Sequence, residues 1–94
     1  MTAEIPAVRT IEICNKRGLH ARASAKFVQC VERFNADVRV SRDGMTVGGN
    51  SIMGLMMLAA AKGCSVQVEA TGPDGEAVLD ALVELISERF GEGE

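Results

Sequence analysis

Asp43-Gly44 stands between two runs in which apolar and polar residues alternate, Ala36 to Arg42 with Val38 and Val40, and Met45-Thr46-Val47. Aspartate and glycine both tolerate the left-handed backbone that a two-residue hairpin turn requires, so this dipeptide predicts two adjacent antiparallel strands. Strands of period two with one apolar face need a covering layer on that face only. A chain of 94 residues has room for one such arrangement and buries roughly 60–70% of its unfolded surface in doing so. We therefore expect a single domain over 1–94, with its core at about residues 9–89.

The other segments supply the missing layers. After a short leader, Arg9-Thr10-Ile11-Glu12-Ile13-Cys14 sets Ile11 and Ile13 against Thr10 and Glu12, a strand with one wet face that Asn15-Lys16-Arg17-Gly18 ends. From Ala21 to about Phe34, Ser24, Phe27, Val28, Val31 and Phe34 recur at helical spacing, and Lys26, Gln29, Glu32 and Arg33 point largely away from that stripe. Asn50 or Ser51 caps a short apolar helix from Ile52 to about Ala61, with Gly63 as its left-handed stop. Ser65 to Thr71 alternates again, Gly72-Pro73-Asp74-Gly75 turns, and Glu76 to about Phe90 places Val78, Leu82, Leu85, Ile86 and Phe90 on one helical face. The order βαββαβα predicts an α+β open-faced β-sandwich: a four-stranded, mainly antiparallel sheet with three helices on one face.

Charge narrows the partners. Residues 1–43 carry eight basic and five acidic side chains, and residues 44–94 carry two and eight, so the halves are +3 and −6 within a net −3. The only histidine, His20, lies in the basic half, which favours an anionic ligand or an acidic protein near it. Without a dense Lys/Arg patch, and with no Trp or Tyr to stack on bases, no nucleic-acid partner is expected. No apolar run approaches the ~18 residues of a membrane span, and no signal pattern opens the chain, so no membrane insertion is expected and a cytoplasmic location is. Cys14, Cys30 and Cys64 are odd in number and form no Cys-x-x-Cys pair, which predicts free, buried or half-buried thiols rather than a disulfide or a zinc site. No metal and no cofactor is expected.

Gly18-Leu19-His20-Ala21-Arg22 stands where the first strand's loop meets the first helix, which puts His20 at or beside the helix N-cap. The first N–H groups of a helix have no internal partner and carry partial positive charge, so an anion attached to this imidazole meets donors at once. That field, with Arg22 nearby, favours a neutral, nucleophilic ring, and the planar fork of Arg22 suits phosphate oxygens. Lys16 and Arg17 add longer-range attraction. Neither a Ser/His/Asp set, nor an acidic dyad, nor a second histidine accompanies His20. It would therefore act alone, on a group activated elsewhere. A plain capping or surface role for His20 is the alternative. Ser51 is placed as the cap of the second helix, a role sufficient to account for a serine, and a phosphate dianion there would suit a helix N-terminus. Five of the six residues in Ile52-Met53-Gly54-Leu55-Met56-Met57 are apolar, more than one buried stripe of a short helix uses. Some of Ile52, Met53, Met56 and Met57 are thus expected to face water or a partner.

Gly18-Leu19-His20-Ala21-Arg22, followed by Ala25, Phe27 and Val28, and Ser51-Ile52-Met53-Gly54 thirty-one residues beyond the histidine, resemble the HPr family over about Arg9 to Arg89. These are the histidine phosphocarriers of the bacterial phosphoenolpyruvate-dependent phosphotransferase system. The resemblance implies a phosphoryl group taken on Nδ1 of His20 from phospho-enzyme I, assisted by Arg22, and passed to EIIA-type acceptor proteins. It implies a monomeric protein cosubstrate rather than an enzyme with its own turnover. It also implies regulatory phosphorylation of Ser51 by an HPr kinase/phosphorylase, and docking of partners on Ala21, Ile52, Met53 and Met56. Ala23-Ser24 stands where sugar-uptake carriers have Pro-Ala, which is similar to the nitrogen-related, NPr-like branch with its signalling role. Two other readings compete: a regulatory module in which only Ser51 is modified, and a metal- or amino-acid-binding domain suggested by element order alone.

Overall fold

The structure is a computed structural model and describes residues 5–93; the first residues of the leader lie outside it. The elements are β1 (Ala7–Glu12), α1 (Ala21–Glu32), β2 (Asp37–Arg42), β3 (Met45–Gly48), α2 (Ile52–Met57), β4 (Ser65–Thr71) and α3 (Gly75–Ser87), followed by a single 3-10 turn over Arg89–Gly91. Four strands pair in the order β1-β4-β2-β3, every pair antiparallel. The expected α+β sandwich with one covered face is thus the observed one.

The hairpin sits where its dipeptide puts it. Asp43 and Gly44 both have positive φ, 51° and 83°, and Arg42 pairs with Met45 on either side of them. Those two conformations match the right-handed twist of the flanking strands. Alternation then sorts the faces: Ile11, Val38, Val40, Val66, Val68 and Ala70 are buried, whereas Glu12, Arg39, Ser65 and Gln67 are exposed. The helices close the buried face with Ala23, Phe27 and Val31 of α1, Leu55 of α2, and Val78, Leu79, Leu82 and Ile86 of α3.

Two helix ends differ from expectation. α2 stops at Met57, short of Ala61, because Ala59 takes a left-handed conformation (φ 53°) and turns the chain inward. Leu58 and Ala60 are buried by that turn, and the Ala60 carbonyl accepts from the Leu19 N–H at 2.9 Å. Gly63 is not the helix stop; it lies in the next turn, where its N–H donates to Ile13 O at 2.8 Å and leads into β4. α3 stops at Ser87 rather than near Phe90, since Arg89 and Phe90 take φ of 55° and 54°. Phe90 is in the core, as its helical spacing predicts, but a chain reversal carries it there.

The thiols are free, Cys30 buried and Cys14 and Cys64 half-buried. Among the described residues, no helix is long and apolar enough to cross a membrane.

Candidate functional site around His20

The loop between β1 and α1 is fixed from below. Asn15 is fully buried and donates from Nδ2 to Gly18 O at 2.8 Å, while the Gly18 N–H returns a bond to Asn15 O at 3.2 Å. Gly18 has φ of +66°, and a Cβ on it would lie 2.4 Å from Ala60 O. Only glycine allows the loop to press so closely on the segment after α2. Leu19 is then buried, and Ser24, also fully buried, donates its hydroxyl to Leu19 O at 3.2 Å.

These constraints leave His20 as the N-cap of α1. Its backbone is extended (φ −74°, ψ −178°), its carbonyl accepts the first helical bond from Ser24 N at 2.9 Å, and its Nδ1 accepts from the Arg22 N–H at 3.3 Å. The capping role weighed against chemistry is therefore real, and the ring performs it with the nitrogen that faces the helix N-terminus. Ala21 and Arg22 are exposed, and the Arg22 side chain makes no hydrogen bond or ion pair among the described residues. Arg17, His20, Arg22, Lys26, Gly91 and Glu92 line a cleft of about 290 Å³.

One occupant of that cleft was not legible as a site residue. Oε2 of Glu92 lies 2.5 Å from Nε2 of His20, and its Oε1 accepts from Asn15 Nδ2 at 3.0 Å. The reversal at Arg89 and Phe90 brings this tail residue to a histidine 72 positions earlier. Lys26, expected to lie largely away from the buried stripe of α1, holds the reversal by donating from Nζ to Phe90 O at 2.6 Å. Beside the cations Arg17, Arg22 and Lys26 that line the cleft, a carboxylate thus sits against the far nitrogen of the ring.

Burial pushes the Glu92 carboxyl up, but the hydrogen bonds from Asn15 and His20 and the charges of His20 and Arg17 outweigh it and leave it below the ordinary 4.5. A carboxyl depressed in the folded state stabilises the fold above its unfolded value and loses that contribution as pH falls through the folded one. We expect the stability difference between this chain and Glu92→Gln to be present at about pH 5 and to narrow below 4.5. Urea melts of both proteins across that range check it, and a difference that widens in acid contradicts it.

Ser51 is at a second helix start and shares no hydrogen bond with His20. Its Oγ accepts from the Gly54 N–H at 2.9 Å, the expected cap. Gly54 lets α2 sit against β3, since a Cβ there would be 2.9 Å from the Val47 Cβ. Only Leu55 of α2 is buried, and Ile52, Met53, Met56 and Met57 are 42%, 69%, 39% and 62% exposed. All four of the residues from which some exposure was expected thus face outward.

Fold and site together define a class: an open-faced α+β domain that presents a lone histidine as the cap of its first helix, beside an exposed apolar helix. The chain belongs to the PTS-HPr family, described as "PTS HPr component phosphorylation site", which it matches over residues 7–88. It is 54% identical over 86 residues to the phosphocarrier protein HPr of Cupriavidus necator, covering 92% of this chain and 97% of that one. It is 41% identical over 85 residues to the phosphocarrier protein NPr of Escherichia coli, covering 89% and 94%. The crystal structure of HPr-C-His from Thermoanaerobacter tengcongensis superposes with a TM-score of 0.87 at 45% identity, over 92% of this chain and 97% of that one.

Proposed function

We propose that the chain accepts a phosphoryl group on Nδ1 of His20 from phospho-enzyme I and passes it to EIIA-type acceptor proteins. The observation that carries this reading is the orientation of the ring. Nδ1 faces the first turn of α1, where it accepts the Arg22 N–H at 3.3 Å. A phosphoryl group replacing that contact would place its oxygens among the free N–H groups of the helix N-terminus, with the uncommitted Arg22 fork and Arg17 beside them. Phosphoryl transfer asks a protein mainly for position and charge, and the helix N-terminus with Arg17 and Arg22 supports both.

The exposed face of α2 supports docking on Ile52, Met53 and Met56, together with Ala21 at the start of α1. Methionine side chains adapt to differently shaped partners, which suits a monomeric cytoplasmic carrier that must meet a donor and several acceptors. Modification of Ser51 by an HPr kinase/phosphorylase fits the same surface. A phosphate at the N-terminus of α2 leaves the helix intact and adds negative charge next to the docking residues. Its effect would fall on partner binding, through repulsion of acidic surfaces and desolvation, rather than on the fold.

Incubation with phosphoenolpyruvate and enzyme I tests the reading. The expected product is one acid-labile, base-stable phosphoryl group per chain. A chain that enzyme I leaves unlabelled, and that only ATP and the kinase label in acid-stable form, belongs instead to the regulatory-module reading.

A further inference from the structure

We propose that Glu92 is a positioning residue for transfer on His20, acting through Nε2 on the nucleophilicity of Nδ1. The inference rests on the reading of Nδ1 as the phosphoryl acceptor. Hydrogen-bond partners assign the proton of the neutral ring. Nδ1 accepts a backbone N–H and so carries none, whereas Nε2 faces a carboxylate oxygen at 2.5 Å and donates to it. A neutral imidazole free in solution exchanges between two tautomers, and only the one with its lone pair on Nδ1 can attack from that atom. Glu92 and the Arg22 N–H select it from opposite sides of the ring.

The carboxylate is itself held in place. Its Oε1 takes the Asn15 amide at 3.0 Å, Asn15 is fully buried, and the tail that carries Glu92 is anchored by the core residue Phe90 and by Lys26. The side chains of His20 and Glu92 are 19% and 14% exposed, so water competes weakly for their contact. A nucleophile whose ring is oriented by a third group, itself oriented by a fourth, has the supporting shell that precise positioning requires.

The charge balance follows the same geometry. The Nδ1 lone pair forms the bond to phosphorus as the bond from phosphorus to the donor atom breaks, its electron pair leaving with the donor. The Nε2 proton stays on the ring, which becomes a cation, and the Glu92 carboxylate neutralises it. In the onward step the bond from phosphorus to Nδ1 breaks and its pair returns to the ring, which leaves as the neutral imidazole. Holding the proton on Nε2 therefore serves both directions. The groups that face His20 are Arg17 from the loop, Arg22 and Lys26 from α1, and Glu92 from the tail, the one carboxylate among the described residues lining the cleft. Glu92 meets the ring at Nε2 rather than at Nδ1, and three cations line the same cleft.

Glu92→Gln and Glu92→Ala separate hydrogen bonding from charge. Two quantities are read on the full chain: the ring-nitrogen resonances of His20, and kcat and KM for phosphorylation by enzyme I. Glutamine still accepts from Nε2, so the tautomer is retained and kcat falls roughly 10-fold, with roughly 100-fold for alanine, the low end of what proton-positioning groups contribute. In Glu92→Ala the ring resonances move towards a mixture of tautomers. KM changes little, because Glu92 is none of the docking residues Ala21, Ile52, Met53 and Met56. Variants of lowered stability but parental kcat and tautomer would make Glu92 structural only and overturn the proposal, as would a faster alanine variant. If the parent chain carries its label elsewhere than His20, the reading of the acceptor atom falls, and this inference with it.

Discussion

Replacement of His20 by alanine is expected to reduce labelling by phosphoenolpyruvate and enzyme I to background while the domain stays folded. His20 is the only histidine, and the cleft offers no other neutral nitrogen that could attack phosphorus: its remaining side chains are two arginines, a lysine and a carboxylate. The structural cost is modest. The ring contributes one long capping contact at 3.3 Å and its pair with Glu92, and loss of a helix cap costs about 1 kcal/mol. For a domain of this size that lowers Tm by about 4–8 °C, so the variant is assayed as a folded protein. Full labelling of His20→Ala would remove His20 from the mechanism, whatever the fold of the variant.

The largest expected effect on stability comes from Gly18→Ala. The added methyl would sit 2.4 Å from Ala60 O and 2.9 Å from Ala61 Cα, both backbone atoms, and φ of +66° is unfavourable for alanine in any surroundings. A left-handed residue costs about 1–2 kcal/mol and overpacking against fixed atoms about 1–3 kcal/mol, so a loss of about 2–5 kcal/mol is expected. The loop would separate from the segment after α2, loosening Leu19 and the cap position of His20 together. Thermal melts should show a fall of at least about 10 °C, and a variant within about 2 °C of the parent would mean that the loop does not depend on this close approach.

Sequence legibility followed the range of the interactions. The hairpin at Asp43-Gly44, the alternation in β2 and β4, the stripe of α1 and the caps at His20 and Ser51 depend on residues within one or two turns of each other. All of these were readable. The end of α2 was not, because Ala59 has no preference for the left-handed conformation it adopts; burial of Leu58 and Ala60 imposes it. Gly63, which does have that preference, drew the expected stop too far along the chain. The tail is the extreme case. Phe90 continues the helical spacing of α3, and nothing local announces that Arg89 and Phe90 reverse the chain. Gly91 and Gly93 on either side of Glu92 were the only signal of an unusual backbone there. Glu92 as a partner of His20 arises solely from that reversal, from Lys26 and from the buried Asn15, which the sequence presented merely as the end of a strand.

The central claim is that Nδ1 of His20 carries the phosphoryl group. Nitrogen-15 NMR of the imidazole in the chain phosphorylated by enzyme I tests it most directly, because the two ring nitrogens are resolved and only one bonds to phosphorus. The account predicts phosphorus coupling at Nδ1 with the proton retained on Nε2. Phosphorus coupling at Nε2, or an imidazole unchanged while the phosphate resides on Ser51, would contradict it.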